Sequence, residues 1–196
     1  MKFINLSNFG FVEDRLPKSL YNILLKECKE GEKNNPELIT GLTDRDVAKH
    51  RHLIHNKEKL WKYIETLMFK YSDVYPGVQN VKVLTDNLPF QFGIPWINYQ
   101  RKGEYVPNHT HDGIYSYSIW MKIPSPCLFE FTYTNIIGNI QTQKINLTKK
   151  DEGKIVFFPS KLPHIAYPFN DTDEIRMSIS GNIILDSSMI QNLIHK

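Results

Sequence analysis

The chain has 196 residues, of which 41% are hydrophobic and 23% are charged, and its formal net charge is +3. This length predicts one domain with a buried core, and a small charge spread over scattered lysines argues against a nucleic-acid partner. The two cysteines, Cys28 and Cys127, stand far apart and exclude a disulfide scaffold and a CxxC-type zinc site.

The sequence carries no signal of secretion or of membrane insertion. Its first residues lack the apolar segment of a signal peptide, and no run of about 18 apolar residues occurs. We therefore expect a soluble protein of the cytoplasm, or of the host cytoplasm if the sequence is viral, with no membrane partner.

The first third of the chain predicts two helices. Apolar residues recur with a 3.6-residue period over residues 16–28. Asn56 predicts the cap of a second helix, whose apolar face covers residues 60–71 and which stops near residue 75. We interpret residues 34–54, between the two helices, as a loop with a short helical turn.

From about residue 80 the hydrophobic period falls to two, which is typical of strands. The segments are rich in Ile, Tyr, Phe, Val and Thr and are separated by Gly, Pro, Asn and Asp. The predicted strands are 80–85, 92–101, 105–111, 114–123, 127–134, 140–147, 154–159, 165–169 and 175–184. Helices followed by many short strands predict a mainly β fold, a sandwich or jelly roll, with N-terminal helices.

Three histidines form a candidate metal site. His109 and His111 are two apart at the end of a predicted strand, so both point to one face. His164 follows a proline-bounded turn at the start of another strand. Three ligands on one side of an ion leave positions open for substrate and oxygen, as in non-haem iron oxygenases, where two histidines and one carboxylate are usual.

Arg176 opens a strand whose polar face also carries Ser178 and Ser180. The planar guanidinium suits bidentate capture of a carboxylate, and a neighbouring hydroxyl can add a further bond. A dicarboxylic oxo-acid could therefore bind a metal at one end and Arg176 at the other.

These motifs, together with further short segments, resemble the 2-oxoglutarate- and iron(II)-dependent dioxygenase superfamily. The likeness is closest to its small prolyl-4-hydroxylase-like members of bacteria and viruses, and it covers roughly residues 90–185. The "FFPS…H" segment with the following "R-x-S-x-S-x-N" is the specific part, whereas the HTH element alone is weak. The matching segments are Trp96–Tyr99, Gly103, His109–Gly113, Ser116, Trp120–Pro124, Gly153–Ser160, His164, Pro168 and Arg176–Ile183.

The resemblance implies a double-stranded β-helix, with residues 79–186 as the catalytic core and residues 1–78 as a mainly helical support in one domain, 1–196. His109 and His164 match the first and last metal ligands, and Arg176 with Ser178 matches the group that binds the far carboxylate of 2-oxoglutarate. The family usually has Asp or Glu where this chain has His111. Either His111 is the middle ligand, which we favour, or a bulge turns Asp112 inward.

The implied cofactors are Fe(II), the co-substrate 2-oxoglutarate, O2 and, as a supporting reductant, ascorbate. The implied reaction hydroxylates an unidentified small-molecule or peptidyl substrate and releases succinate and CO2. No catalytic residue is expected beyond the metal ligands. Exposed edge strands in such folds allow a homodimer.

Aromatic residues cluster around the predicted site in sequence. We expect most of them to form core and wall, and we assign Tyr99, near a strand end, to oxo-acid binding. A second histidine cluster, His50, His52 and His55, is interpreted as a set of helix-end or surface groups.

Two other functions stay open at this point. A cupin-like metal-dependent isomerase or dioxygenase would keep the barrel and the metal but need no 2-oxoglutarate. Replacing Arg176 with Ala would abolish 2-oxoglutarate binding in a 2-oxoglutarate-dependent dioxygenase, whereas the cupin-like enzyme would keep its turnover. A non-catalytic jelly-roll binding module would contain no stoichiometric iron.

Overall fold

The computed structural model describes residues 10–33, 49–74 and 90–185. Within these residues the chain forms two α-helices, eleven β-strands and a short 3-10 helix at Lys149–Asp151. In chain order the helices and strands are β1 (Val12–Arg15), α1 (Lys18–Lys33), β2 (Lys49–His52), α2 (Lys57–Val74), β3 (Phe90–Phe92), β4 (Trp96–Gln100), β5 (Val106–His109), β6 (Tyr115–Lys122), β7 (Cys127–Thr134), β8 (Ile140–Leu147), β9 (Lys154–Pro159), β10 (His164–Ala166) and β11 (Arg176–Leu185). Neither described helix is long and apolar enough to cross a membrane.

The strands form two antiparallel sheets. The larger has seven strands in the order β1-β9-β6-β11-β4-β2, with β3 also paired to β11. The smaller has four strands in the order β5-β10-β7-β8. Strands distant in sequence are neighbours in both sheets, as a jelly roll requires. The predicted fold class, a mainly β jelly roll with N-terminal helices, is confirmed.

The larger sheet lies between the helices and the smaller sheet. Its helix-facing side shares one apolar core with both helices, which contribute residues such as Leu24 and Leu60. A second core, including Trp120 and Phe131, fills part of the space between the two sheets. The rest of that space is a cavity, described below. Because successive strand residues point to opposite faces, each strand of the larger sheet contributes to both layers.

The predicted boundaries are accurate for the hairpin strands and less so elsewhere. Strands 127–134, 140–147 and 154–159 are found with the predicted ends. The predicted strand 92–101 is two strands, because Pro95 lacks a backbone N–H and Gly93 bonds instead to Asn182 O. The predicted strand 80–85 lies outside the described residues.

The described N-terminal residues contain both predicted helices and, in addition, two strands that we did not expect. Residues 49–52, interpreted as loop, are strand β2, and its four residues pair with β4. Strand β1 pairs with β9 and was not predicted. Both are short and largely polar, so neither shows the alternation by which strands are recognised. Helix α2 begins directly after Asn56, as predicted.

Candidate active site

His109 and His164 lie side by side on the smaller sheet. His109 ends β5 and His164 begins β10, and the two residues are direct partners in the antiparallel pairing. Directly opposed residues place their side chains on the same face. Their ring centroids are 4.3 Å apart, and both rings line the cavity between the sheets. The structure therefore brings together two residues that are 55 positions apart in sequence.

His111 completes a cluster of three imidazoles from the turn that follows β5. Its backbone N–H donates to Ser160 O at 2.9 Å, which holds the turn against the end of β9. The Nε2 atoms of His109 and His111 are 3.2 Å apart. One nitrogen from each of His109, His111 and His164 lies within 4.8 Å of the others. This is a spacing at which three nitrogens can ligate one ion.

Backbone carbonyls orient two of the three rings. His109 Nδ1 lies 2.7 Å from Pro107 O, and His164 Nδ1 lies 3.0 Å from Leu162 O. A carbonyl only accepts, so each Nδ1 donates its proton to the carbonyl, and Nε2 is the nitrogen that is left to bind an ion. Such second bonds fix the tautomer and aim of metal-binding histidines. A cation between the rings would satisfy these lone pairs, so the donor set fits a divalent ion.

The environment keeps two rings neutral, the form that binds a metal. Burial, and secondarily the neighbouring His109, lower the pKa of His111 to about 4. The same two causes lower the pKa of His164 to about 3. Near pH 7 no proton therefore has to leave these rings before an ion binds.

Asp112, the alternative middle ligand, does not reach the cluster. Its side chain is fully exposed, and its Oδ1 accepts a hydrogen bond from Lys161 Nζ at 3.2 Å. The next residue, Gly113, has φ of +111°, and a Cβ there would lie 2.6 Å from Ile183 O. The turn therefore passes close to β11 with His111 inward and Asp112 outward.

Arg176 is buried in the same cavity at the start of β11. Its guanidinium donates to Gln100 Oε1 and, at 2.9 Å, to Tyr167 O, and it lies 5.5 Å from the centre of the Phe169 ring. Both oxygen acceptors are neutral, and the Cys127 side chain also lies next to the guanidinium. None of the ion pairs formed within the described residues involves Arg176. A buried cation held this way is suited to an anion.

Polar side chains beside Arg176 line the same wall. Asn98 Nδ2 donates to Ser178 Oγ at 3.2 Å and to Ser180 Oγ at 3.1 Å. Asn98 and Gln100 line the cavity and were not predicted. The signal was present in the sequence, since they alternate on β4 with the apolar Ile97 and Tyr99.

Tyr99 does not line the cavity, so its assignment to oxo-acid binding is corrected. The residue lies on the helix-facing side of β4, and its hydroxyl donates to Cys28 O in α1 at 2.8 Å. Alternation along the strand decides this, because Asn98 and Gln100 occupy the cavity side. Tyr99 is a core residue that joins the sheet to helix α1.

His50 is placed differently from our expectation of a helix-end or surface group. It lies in β2 opposite Asn98, and its side chain lines the cavity. Its Nε2 is buried with no hydrogen-bond partner among the described residues. Burial, and to a lesser extent His109, lower the pKa of His50.

The cavity between the sheets has a volume of about 340 Å³. Its lining includes the three histidines, Arg176, and the polar group formed by Asn98, Ser178 and Ser180. Apolar residues such as Trp96 and Phe129 also line it. The volume lies in the range of small-molecule sites. The site thus combines three imidazole nitrogens that can ligate a metal, one buried guanidinium and several neutral hydrogen-bonding groups.

Comparison with known protein families gives one match, which covers part of the chain. Residues 95–182 match the family described as "Putative 2OG-Fe(II) oxygenase". That segment contains the three histidines and Arg176. No curated protein matches this chain in sequence.

Solved structures of such enzymes share the fold. A Pseudomonas putida prolyl-4-hydroxylase aligns with a TM-score of 0.61 and 14% identity over 90% of this chain and 92% of its own. A Trichoplax adhaerens prolyl hydroxylase, solved with a peptide fragment of hypoxia inducible factor, aligns with a TM-score of 0.57 and 10% identity. The alignment covers 94% of this chain and 86% of that protein. The non-heme alpha ketoglutarate dependent carbocyclase SnoK from nogalamycin biosynthesis aligns with a TM-score of 0.54 and 13% identity. The alignment covers 91% of this chain and 80% of SnoK. At these identities the likeness concerns the fold.

Proposed function

We propose that this chain is a 2-oxoglutarate- and iron(II)-dependent oxygenase, which hydroxylates a second substrate with O2 while converting 2-oxoglutarate to succinate and CO2. The matching family implies Fe(II) as the bound metal and 2-oxoglutarate and O2 as the reactants. The single observation that supports the proposed site best is the convergence of three imidazole nitrogens within 4.8 Å in a cavity that also holds Arg176.

His109, His111 and His164 are the proposed iron ligands. The carbonyls of Pro107 and Leu162 hold two of the rings by Nδ1, so that Nε2 would be the nitrogen that binds the iron. Iron bound there would supply the activation of O2 that the side chains themselves do not provide. All three ligands are neutral, which departs from the usual set with one carboxylate.

Arg176 is the proposed partner of the far carboxylate of 2-oxoglutarate. Gln100 and Tyr167 O hold the guanidinium in place, and Ser178 stands next on the same strand face. Ordinary charge-assisted hydrogen bonds would fix the co-substrate between Arg176 and the metal. The apolar residues around the cavity exclude water from the reacting groups.

The same observations argue against an oxygenase or isomerase that uses no oxo-acid. Such an enzyme has no need of a buried guanidinium beside the metal site. The second substrate is proposed to be a small molecule or a peptidyl group.

A succinate-release assay with Fe(II), ascorbate and 2-oxoglutarate tests the proposal. Wild type should release succinate even without the second substrate, through uncoupled turnover. His111→Ala should lose at least about 100-fold of this activity, and Asp112→Ala should keep it. Loss in Asp112→Ala with retention in His111→Ala would show that the proposed middle ligand is wrong.

A further inference from the structure

The smaller sheet ends in a strand that has no neighbour on its outer side within the described residues. Strand β8 pairs with β7 along its whole length and is the last strand of the order β5-β10-β7-β8. Its eight residues include no proline and no glycine, and Lys144 carries its single charge. Residues 140–144 are all exposed. An edge of this kind presents a row of free backbone N–H and C=O groups to a further strand.

The other edge strands of the described residues are protected from such pairing. β1 and β2 close the larger sheet with four residues each, and nearly all of their side chains are charged or ionisable. β3 pairs only with β11 and has three residues. β5, the other edge of the smaller sheet, has four residues and contains Pro107. Short length, charge and proline are the devices that keep edge strands from associating, and β8 lacks them apart from one lysine.

The turn between β7 and β8 decides which backbone groups of this edge are free. Asn135 N–H donates to Asn139 O at 2.9 Å, so these opposed residues form a hydrogen-bonded pair. Hydrogen-bonded and non-hydrogen-bonded pairs alternate along an antiparallel ladder, and the register of β7 with β8 is continuous. The odd-numbered residues of β8 therefore bond to β7. The residues that direct their N–H and C=O groups outward are Ile140, Thr142, Lys144 and Asn146.

The same edge carries the most exposed large apolar side chains of the described residues. Ile136 and Ile137, in the turn, are 99% and 74% exposed, and Ile140, at the start of β8, is 75% exposed. Single exposed apolar residues are normal, whereas a cluster of them beside an open strand edge indicates a contact surface.

We propose that two copies of this chain associate through β8, which pairs antiparallel with β8 of the second copy and joins the two smaller sheets into one. The four outward residues lie symmetrically about Gln143. A two-fold axis at Gln143 therefore pairs Thr142 with Lys144 of the partner subunit, and Ile140 with Asn146 of the partner subunit. Each outward residue meets another outward residue, so the edge is complementary to itself, as a two-fold interface requires.

Charge and apolar area also fit a second copy. Lys144 would lie opposite a threonine and not opposite its own symmetry mate, so no like charges stand directly opposite each other. The turn of each copy would extend past the end of the partner strand toward Lys149 and Lys150 of the partner subunit, whose methylene stems can cover Ile136 and Ile137. The contact engages about ten residues per copy, against roughly 20–30 in a standard interface, so the dimer should be reversible with a micromolar dissociation constant.

Sedimentation equilibrium over roughly 1–500 μM protein tests the association. The mass should rise from 23.0 kDa toward twice that value as the concentration increases. Amide hydrogen exchange measured by NMR at both ends of this range tests the edge. The N–H groups of Thr142 and Lys144 should become protected only at high concentration, whereas that of Gln143 should be protected at both. A wild type that stays monomeric, which would leave the edge to a strand of another protein, overturns the inference, and so does a dimer without this alternating protection.

Thr142→Glu and Thr142→Lys form a matched pair of variants, because position 142 faces Lys144 of the partner subunit twice in the dimer. Two cross-strand charge pairs should tighten the Thr142→Glu dimer about 2- to 30-fold and weaken the Thr142→Lys dimer by a similar factor. Thr134→Glu, exposed on β7, makes the same charge change away from the axis and should stay within about twofold of the wild type. Equal dissociation constants for the two Thr142 variants contradict the proposal.

Thr142→Pro removes an outward N–H without removing a hydrogen bond to β7, so it blocks the edge at its centre. It should weaken the dimer at least about tenfold, and a folded variant that dimerises like the wild type would overturn the inference. If circular dichroism shows that Thr142→Pro does not fold, the two charge variants at the same position decide the question.

Discussion

The two faces of the five-residue strand β4 and the ten-residue strand β11 differ in polarity, although each strand supplies residues to both faces. The helix-facing side carries Ile97, Tyr99, Met177 and Ile179, all buried in the core shared with the helices. The cavity side carries polar residues, namely Asn98, Gln100, Arg176, Ser178 and Ser180. The apolar face packs in the core, and the polar face lines the candidate active site.

This difference shows how one sheet carries both a polar site and an apolar core. Each inward polar residue is backed by apolar neighbours one position away along the strand. The polar groups also bond to one another, as Asn98 does to Ser178 and Ser180, and so avoid unsatisfied burial. Stability and ligand binding should therefore respond to different, adjacent residues.

The largest expected effect is on the apolar face. Ile179→Ala should lower the free energy of unfolding by about 2–5 kcal/mol, because it opens a cavity in a fully buried region. Urea denaturation followed by circular dichroism measures it. Ser178→Ala, one position earlier, should cost less than about 1 kcal/mol, and equal losses in the two variants would contradict the division between the faces.

On the cavity face, Arg176→Met should weaken 2-oxoglutarate binding roughly 10- to 100-fold. The apolar side chain keeps much of the volume but cannot make the charge-assisted hydrogen bonds, each worth about 1.5–3 kcal/mol. Calorimetric titration with 2-oxoglutarate in the presence of Mn(II) gives the dissociation constant. Ile97→Val, on the opposite face of the neighbouring strand, is the control and should leave this constant unchanged.

Gly181 lies on the core-facing side of β11, where the Tyr117 ring of the neighbouring strand packs closely against its backbone. A Cβ there would lie 2.3 Å from the Tyr117 hydroxyl of the paired strand β6. Gly181→Ala should therefore destabilise the protein by about 1–3 kcal/mol through overpacking. Thermal unfolding should show the loss, and a Tm equal to that of the wild type would mean that the ring moves freely.

The smallest expected effect concerns the hydroxyl of Tyr117. This buried oxygen has no hydrogen-bond partner among the described residues, and burial raises the pKa of Tyr117, so the group stays protonated. Tyr117→Phe should raise the free energy of unfolding by about 1 kcal/mol, since an unsatisfied polar atom is removed. A loss of stability in the same denaturation assay would indicate an unrecognised partner.

Some strands could be predicted from the sequence with their correct ends, whereas others, and one cavity residue, could not. The strands 127–134 and 140–147 were predictable to the residue, because long alternating segments are bounded by turn residues. Strands β1 and β2 were not, since four largely polar residues carry no such pattern, and their pairing depends on the strand beside them. The position of His50 was missed for the same reason.

Among the candidate site residues, the error at Tyr99 has a simple origin. An aromatic residue near a strand end was preferred over its neighbours Asn98 and Gln100, although the polar face of β4 was readable from alternation. The inward direction of His111 and the outward direction of Asp112 required the turn itself, whose path is set by Gly113 against β11.

The local pattern of the chain alone determined most strands of the jelly roll and the polar face of β11. It also determined the residue types that can hold a metal and a carboxylate, because all of these depend on spacing between near neighbours. Only the tertiary structure decided that His109 pairs with His164, that the turn directs His111 inward, and that Arg176 is buried in their cavity without a carboxylate partner among the described residues. Those relations join residues dozens of positions apart, and strand pairing and packing between sheets, not local sequence, bring such residues together.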